Sequence, residues 1–175
     1  MFAALSLSAC GNKQSVVTSA ESEGIYLDLD SLKYQVQVSR ELNPSDREDR
    51  AYMAGLTPAD RALAPDEVWF GVFLQVQNDT GQSHPSAQQF KIEDTERNVY
   101  RPVPLASINS FAYRPTTLDP KGLIPLPDTP AYDGPTQGAV VLFKLKEPSF
   151  DNRPLVLSIE SAVTPGQFAH VDLDV

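Results

Sequence analysis

Val68-Trp69-Phe70-Gly71-Val72-Phe73-Leu74-Gln75-Val76-Gln77 is the stretch of sequence that decides the fold. Successive side chains of a β-strand point to opposite faces, so the stretch divides into two sets. One face carries Phe70, Val72, Leu74 and Val76, and the other carries Trp69, Gly71, Phe73, Gln75 and Gln77. Because both faces hold large aromatic side chains, the pattern predicts a central strand that is covered on both sides.

Alternating polar and apolar residues recur on both sides of this strand. Tyr34, Val36 and Val38 are expected to share one buried face of an early strand. Three late strands have candidate inward faces in Val141-Phe143-Leu145, Leu155-Leu157-Ile159 and Val171-Leu173-Val175. The predicted strands are 25–29, 33–38, 68–77, 88–94, 99–103, 107–113, 138–146, 155–160 and 168–175. Turn signals separate them and no crossover helix joins them, so the sequence predicts an all-β fold, an antiparallel β-sandwich.

A short helical insertion is predicted between the early strands, in residues 42–67. Ser45-Asp46-Arg47-Glu48 fits a capping box with Ser45 as the N-cap. The helix is expected to end at Ala54, followed by Gly55 as its C′ residue. A second helical turn is predicted at Thr57-Pro58-Ala59-Asp60, with Thr57 as its cap.

The segment Leu7-Ser8-Ala9-Cys10-Gly11 resembles the lipobox of bacterial lipoproteins. Small residues precede the cysteine after an apolar run, as a secretory signal requires, although no Lys or Arg occurs before Lys13. The resemblance implies that residues 1–9 are a truncated lipoprotein signal peptide and that Cys10 carries a covalent lipid. It also implies an extracytoplasmic domain anchored to the cell membrane. An ordinary buried cysteine is the alternative.

The sequence divides into three parts after this assignment. Residues 10–24 are polar and small, so they are predicted to form a flexible tether. Residues 25–175 are predicted to form the β-sandwich domain. Cys10 is the only cysteine of the 175 residues, so this domain contains no internal disulfide. The formal net charge of −9, from 14 basic and 23 acidic residues, argues against a nucleic-acid partner.

The strand motifs are similar to those of an uncharacterised immunoglobulin-like domain of Gram-positive lipoproteins and secreted antigens. The motifs are the aromatic strand 69–78, Phe90-Lys91-Ile92-Glu93-Asp94, and Gly138-Ala139-Val140-Val141-Leu142-Phe143. The similarity covers residues 34–161 and implies an immunoglobulin-like sandwich in the cell envelope. That family has no agreed activity, so the resemblance implies no site residue.

Two long segments between strands are the candidate interaction surfaces, because sandwich folds carry function on their loops. Residues 42–67 contain Tyr52, Met53 and Leu56, and residues 114–135 contain Leu123, Ile124, Leu126 and Tyr132 among many prolines. Proline cannot donate to a sheet ladder, so no regular sheet is expected in 114–135. The alternative is that these side chains only seal the ends of the core.

Catalytic and metal-binding patterns are scarce in the sequence. His84 and His170 are far apart and lack the ligand spacing of a zinc site. No nucleophile-elbow motif occurs, so no enzyme activity and no cofactor besides the lipid is predicted. Calcium at Asp128 and Asp133 is an alternative. The favoured function is a non-enzymatic module that binds an envelope protein or polymer; the alternatives are a structural spacer and a hydrolase without a recognisable motif.

Overall fold

Strand β4 lies at the centre of one of the two main sheets of the molecule. The structure is a computed structural model that describes residues 15–175, so the predictions for Cys10 and for residues 1–9 lie outside the described residues. The strands are β1 (Ser19–Ala20), β2 (Leu27–Leu29), β3 (Leu32–Leu42), β4 (Glu67–Gln77), β5 (His84–Pro85), β6 (Gln89–Glu93), β7 (Val99–Tyr100), β8 (Thr117–Leu118), β9 (Leu123–Ile124), β10 (Ala139–Lys146), β11 (Leu155–Glu160) and β12 (Phe168–Leu173). The helices are α1 (Arg47–Tyr52), α2 (Pro130–Asp133) and a 3₁₀ turn, η1 (Glu147–Phe150).

The strands form two main sheets and one small one. Sheet A has the order β1-β12-β11-β6-β7, and sheet B has the order β10-β4-β3-β2 with β9 paired to the end of β4. All pairs are antiparallel except β1 with β12. Strands β5 and β8 form a separate two-stranded sheet.

The strand order matches the immunoglobulin-like arrangement. Strands β6, β11 and β12 lie side by side, as strands C, F and G of an immunoglobulin domain do. Strand β4 lies between β3 and β10, as strand B of an immunoglobulin domain lies between strands A and E. The predicted all-β sandwich is confirmed, and α1 is the predicted helical insertion between β3 and β4.

The main core lies between the inner faces of the two sheets. The predicted inner face of β4, Phe70, Val72, Leu74 and Val76, is buried there. Strands β10, β11 and β12 contribute the predicted Val141-Phe143-Leu145 and Leu155-Leu157-Ile159 sets together with Val171 and Leu173. Burial of these side chains is the main favourable term in folding, because each removes a large apolar surface from water.

A second apolar cluster, the outer cluster, covers the other face of sheet B. Trp69 and Phe73 of β4 lie in it beside Leu142 of β10. The insertion supplies Tyr52, Met53 and Leu56 to the same cluster. The outer cluster explains why β4 carries aromatic residues on both of its faces.

A β-bulge changes the facing of β3 between Val36 and Val38. Val36 pairs with Leu74 of the inner face, whereas Val38 pairs with Phe73 of the outer face. The prediction that Val38 shares the face of Tyr34 and Val36 is therefore wrong. One extra residue in a strand moves every following side chain to the opposite face.

Helix α1 begins one residue later than predicted. Asp46, not Ser45, is the N-cap, and its Oδ1 accepts hydrogen bonds from the backbone N–H of Glu48 at 2.7 Å and Asp49 at 3.1 Å. Glu48 does not complete a capping box, because its carboxylate accepts a hydrogen bond from Tyr52. The helix ends at Tyr52 instead of Ala54.

The second predicted helix, around Thr57, is a turn. Thr57 Oγ1 accepts a hydrogen bond from the Asp60 backbone at 3.2 Å, as a cap would, but no helix follows. The predicted strand 107–113 is also wrong. It is reduced to a single bridge between Ala112 and Val140, because Asn109 accepts hydrogen bonds from the backbone of Phe111 and Ala112.

The predicted flexible tether is wrong from Val17 onward. The backbone of Val17 accepts a hydrogen bond from Asp28 at 2.6 Å, and β1 pairs with β12 at Ser19 and Ala20. Glu23 is half-buried, and its carboxylate accepts hydrogen bonds from the backbone of Ser39 and of Asp174. Backbone pairing with the last strand therefore orders a segment whose polar composition indicates disorder.

No helix within residues 15–175 combines the length and the apolar character that a membrane crossing requires.

Candidate functional site

The proline-rich segment 114–135 encloses a pocket of about 480 Å³, the proline-segment pocket. Its apolar wall consists mainly of Leu118, Leu123, Ile124, Pro125, Leu126 and Ala139. Hydroxyl groups come from Ser110, Thr116, Thr117 and Thr129, and the two charged residues are Arg114 and Asp119. Pockets of roughly 300–1,000 Å³ with apolar walls and a few polar groups are typical of small-molecule sites.

Pairing with β4 fixes one wall of the pocket. Leu123 is the partner of Gln77, and Ile124 is the partner of Val76. Gly122 precedes this pair in a tight turn, where a Cβ atom would lie 2.8 Å from the carbonyl oxygen of Asp119. Only glycine fits this approach without a backbone shift. The wall is therefore a short additional strand of sheet B, and prolines prevent a longer ladder.

Buried Asn78 holds the turn that leads into this wall. Its Nδ2 donates to the carbonyl oxygens of Gln82 at 2.7 Å and Leu118 at 2.9 Å. Its Oδ1 accepts hydrogen bonds from the backbone and the hydroxyl of Thr80 at 2.9 Å and 2.7 Å. The backbone of Asn78 also bonds to Gly122 and Lys121. A fully bonded buried amide of this kind fixes one loop geometry, because any rearrangement leaves polar atoms unpaired.

Arg114 is held at the pocket by backbone carbonyl groups. Its guanidinium donates to Leu105 O at 2.8 Å and to Ala106 O. Within residues 15–175, the ion pairs within 4 Å do not involve Arg114. Asp119 accepts a hydrogen bond from the Ser83 hydroxyl at 2.7 Å. The pocket thus presents one positioned cation and one positioned carboxylate.

The seven residues predicted as interaction candidates fall into two groups. Leu123, Ile124 and Leu126 line the proline-segment pocket; Leu126 is 65% exposed, whereas Ile124 is buried and also belongs to the main core. Tyr132 is half-buried in α2, beside the lining residue Ala131. In contrast, Tyr52, Met53 and Leu56 are buried in the outer cluster, so their side chains are not accessible to a partner. Both groups lie against sheet B, but they belong to two different regions and do not form one continuous surface.

Tyr52 has polar partners as well as apolar ones. Its hydroxyl donates to Glu48 Oε1 at 2.6 Å, and its ring packs edge-on against Phe73 and Phe111 at 4.9 Å and 5.0 Å. Burial and the neighbouring Glu48 carboxylate raise the pKa of Tyr52 to about 12. Arg40 lies over the rings of Tyr52 and Phe73 at 5.9 Å. These contacts make Tyr52 a structural residue of the outer cluster.

Metal and catalytic groups are sparse in the described part of the chain. No group of three or more His, Cys, Asp or Glu side chains that could hold a metal ion is found within residues 15–175. Asp128 and Asp133, the calcium alternative, are both exposed. Ser158 Oγ lies 3.1 Å from His170 Nδ1 on sheet A, but Ser158 is only 3% exposed. A nucleophile must reach its substrate, so this pair is better explained as a hydrogen bond across β11 and β12.

Sequence reasoning missed the roles of Arg114, which lines the pocket, and of Asn78, which holds the turn that leads into its wall. Asn78 follows directly on the strongest strand, and a polar residue at a strand end that precedes Asp-Thr-Gly is a turn signal. Its long-range role is not visible from the sequence, since Leu118 is 40 positions away. Arg114 carries no local signal at all.

Comparisons with known proteins give fold neighbours but no family. No protein-family model matches the chain, and no curated protein matches it. The yjhA protein from Bacillus subtilis is 10% identical, with a TM-score of 0.49, covering 88% of this chain and 99% of that chain. An uncharacterised β-sandwich protein from Clostridium difficile 630 is 10% identical, with a TM-score of 0.47, covering 89% and 95%. The fold assignment therefore rests on the strand order of this chain itself.

Proposed function

We propose that this protein is a non-enzymatic binding module, anchored to the outside of the cell membrane by a lipid on Cys10. The proline-segment pocket is its ligand site. The observation that carries the proposal is the pocket of about 480 Å³, with apolar walls and only two charged residues at its boundary. Ligand sites are commonly pre-formed concave surfaces of this composition.

The chemistry of the pocket supports binding better than catalysis. Its polar groups are hydroxyls, one guanidinium and one carboxylate, and neither histidine lines it. General acid–base catalysis needs a group whose pKa is close to the working pH, and histidine fills that role most often. Hydroxyl and charged groups arranged around an apolar cavity instead supply orientation and specificity.

The anchoring part of the proposal is supported by the sequence around Cys10 and by the short distance to the ordered domain. Ser15, the first described residue, follows Cys10 by five positions. Five residues span at most about 18 Å when fully extended. A lipid on Cys10 therefore keeps the domain close to the membrane surface, where envelope components are accessible.

Two experiments test the two parts separately. For the anchor, the full-length gene product is labelled with radioactive palmitate in a bacterial host, with Cys10→Ala as the control. Labelling that depends on Cys10 supports the anchor, whereas an unlabelled wild-type protein in the aqueous fraction contradicts it.

For the ligand site, a photo-crosslinking amino acid replaces Leu126 at the rim of the pocket. The matched control replaces Val99, which is 47% exposed at the edge of sheet A. We expect one discrete adduct in intact cells from position 126 and none from position 99. Identical adduct patterns from both positions would exclude the pocket as the ligand site and would favour a spacer role.

A further inference from the structure

We propose that the proline-segment pocket binds a singly charged anionic amphiphile, with its aliphatic chain inside and its carboxylate on Arg114. This inference rests on the proposed function, because it names the ligand class of the same site.

The walls of the pocket favour an aliphatic group. Leu118, Leu123, Ile124 and Leu126 provide branched apolar side chains. None of the described lining residues is aromatic. A nucleobase is usually bound by stacking on an aromatic ring, so this lining does not favour one. An alkyl chain needs no such surface, and its affinity increases simply with the apolar area that it buries.

Arg114 provides the binding group for the head of the ligand. A guanidinium carries five N–H donors, and two of its nitrogens are already bonded to the carbonyl oxygens of Leu105 and Ala106. These carbonyls fix the side chain but do not neutralise its charge. No carboxylate within residues 15–175 forms an ion pair with it. The remaining donors suit a carboxylate, which arginine binds in a fixed planar geometry.

Asp119 limits the charge of the ligand. Its Oδ1 accepts a hydrogen bond from the Ser83 hydroxyl at 2.7 Å, so the carboxylate is held beside the pocket. A second negative charge on the ligand would be repelled by this group. We therefore expect a single anionic group, and not a polyphosphate or a dicarboxylate.

The position of the pocket also favours an amphiphile from the membrane. Val17 hydrogen-bonds to Asp28, and across sheet B Asp28 pairs with Lys33, Lys33 with Gln77, and Gln77 with Leu123. These residues form one row across the molecule. Strands are about 4.8 Å apart, so the pocket wall lies roughly 20 Å from the point where the chain enters the domain. The lipid anchor proposed on Cys10 would then keep the pocket within a few nanometres of the membrane surface.

Isothermal titration calorimetry of the lipid-free protein with soluble amphiphiles tests the inference. The probes are octanoate, decanoate, decylamine and 1-decanol; the ionic probes are kept below their micelle concentrations and 1-decanol below its solubility limit in water. We expect decanoate to bind more tightly than decylamine or 1-decanol. Each added methylene should increase affinity by up to about fourfold, so decanoate, with two more methylenes, should exceed octanoate by up to about 15-fold.

Arg114→Gln is the decisive variant, and Arg47→Gln is its matched control, because Arg47 is an exposed arginine of α1. Arg114→Gln should weaken decanoate binding by about 10- to 100-fold, the range for a lost charged hydrogen bond, and should leave 1-decanol unchanged. Arg47→Gln should change neither. Circular dichroism melting of both variants checks that the fold is retained.

Three results would overturn the inference. These are tighter binding of decylamine than of decanoate, equal weakening by both arginine variants, and no detectable binding of any amphiphile. If crosslinking from position 126 still gives its discrete adduct, the pocket remains the ligand site and only the ligand class is wrong. If that adduct is also absent, the proposed function itself fails.

Discussion

The helical insertion, residues 42–67, and the proline-rich segment, residues 114–135, both pack on sheet B, but with opposite results. The helical insertion places Tyr52, Met53 and Leu56 against the outer face of β4, and the result is a closed apolar cluster. The proline-rich segment pairs with the end of β4 through Leu123 and Ile124, and the result is an open pocket. A helical turn projects several side chains onto one face, whereas a proline-rich chain follows an extended path with few backbone bonds. Although the two segments are similar in length, the helical insertion covers the outer face of β4, whereas the proline-rich segment leaves a cavity.

A buried asparagine stabilises each of the two regions. Asn109 donates from its Nδ2 to the carbonyl oxygens of Tyr52 at 2.8 Å and Ala54 at 2.9 Å, so it closes the end of α1. Asn78 does the same for the turn at Gln82 and Leu118. The difference between the regions thus lies in the apolar side chains that they supply and not in how their loops are fixed.

Truncation of Tyr52 should have the largest effect on stability. Tyr52→Ala removes a ring that is only 1% exposed and leaves a cavity between Phe73 and Phe111. We expect a loss of about 3–5 kcal/mol in the free energy of unfolding, measured by denaturant titration. Tyr132→Ala, at the half-buried tyrosine of the other segment, is the control and should cost much less. Similar losses in both variants would mean that the two regions are equally sealed.

Removal of the Asn78 amide should have the next largest effect and should act on the pocket. Asn78→Ala leaves the carbonyl of Leu118 and the backbone N–H of Thr80 without their partner. We expect a loss of about 1–3 kcal/mol in unfolding free energy. Hydrogen exchange should increase in residues 117–124 and not in α1. Asn109→Ala should give the reverse pattern, and any other distribution would contradict the separate roles of the two amides.

The alkaline stability of the outer cluster should depend on Tyr52. Its pKa is raised to about 12 by burial and by Glu48, against about 10 in the unfolded chain. Above pH 10 the unfolded state therefore loses a proton that the folded state retains, and stability falls as the pH rises towards 12.

Comparison of wild type with Tyr52→Phe isolates this contribution. Burial also raises the pKa of Tyr34 and Tyr113, but both tyrosines are present in the two proteins and cancel. The unfolding free energy of wild type should fall more steeply between pH 10 and 12 than that of Tyr52→Phe. Parallel pH profiles would show that Tyr52 is accessible to solvent and that the insertion does not seal the face.

Truncation of Leu126 should have the smallest effect on stability. Leu126→Ala removes a side chain that is 65% exposed at the rim of the pocket. We expect a change within about 0.5 kcal/mol in unfolding free energy, as for other surface substitutions. A loss as large as that of Tyr52→Ala would show that the Leu126 side chain is buried against the core and does not form the rim of an open pocket.

Local patterns were sufficient for most of the sandwich. The alternation in residues 68–77 predicted the central strand and both of its faces, and β10, β11 and β12 were found where the same period placed them. The errors have specific causes. Val38 changed face because of a bulge, and Ser19 and Ala20 of the predicted tether joined sheet A through backbone pairing with the last strand. Neither event can be read from the alternation of polar and apolar side chains, on which the strand predictions mainly rested.

The sequence predicted some residues of the candidate site but could not separate them from residues that are buried elsewhere. Leu123, Ile124 and Leu126 stood out as apolar residues among prolines, and they line the pocket. Tyr52, Met53 and Leu56 gave the same local signal but pack into the outer cluster. In the sequence, an apolar loop residue that covers a core cannot be distinguished from one that borders a cavity. The difference depends on which residues of the folded chain pack against it.

The sequence by itself determined the β-sandwich, because period-two burial is a local property of each strand. It also determined the short helical insertion and the lack of disulfides. Only the tertiary structure decided which long segment closes over sheet B and which leaves a pocket, and it alone brought Asn78 to Leu118 and Arg114 to Ala106. These contacts join residues that are distant in the chain or lie in irregular loops, where packing against the rest of the molecule, and not local periodicity, selects the conformation.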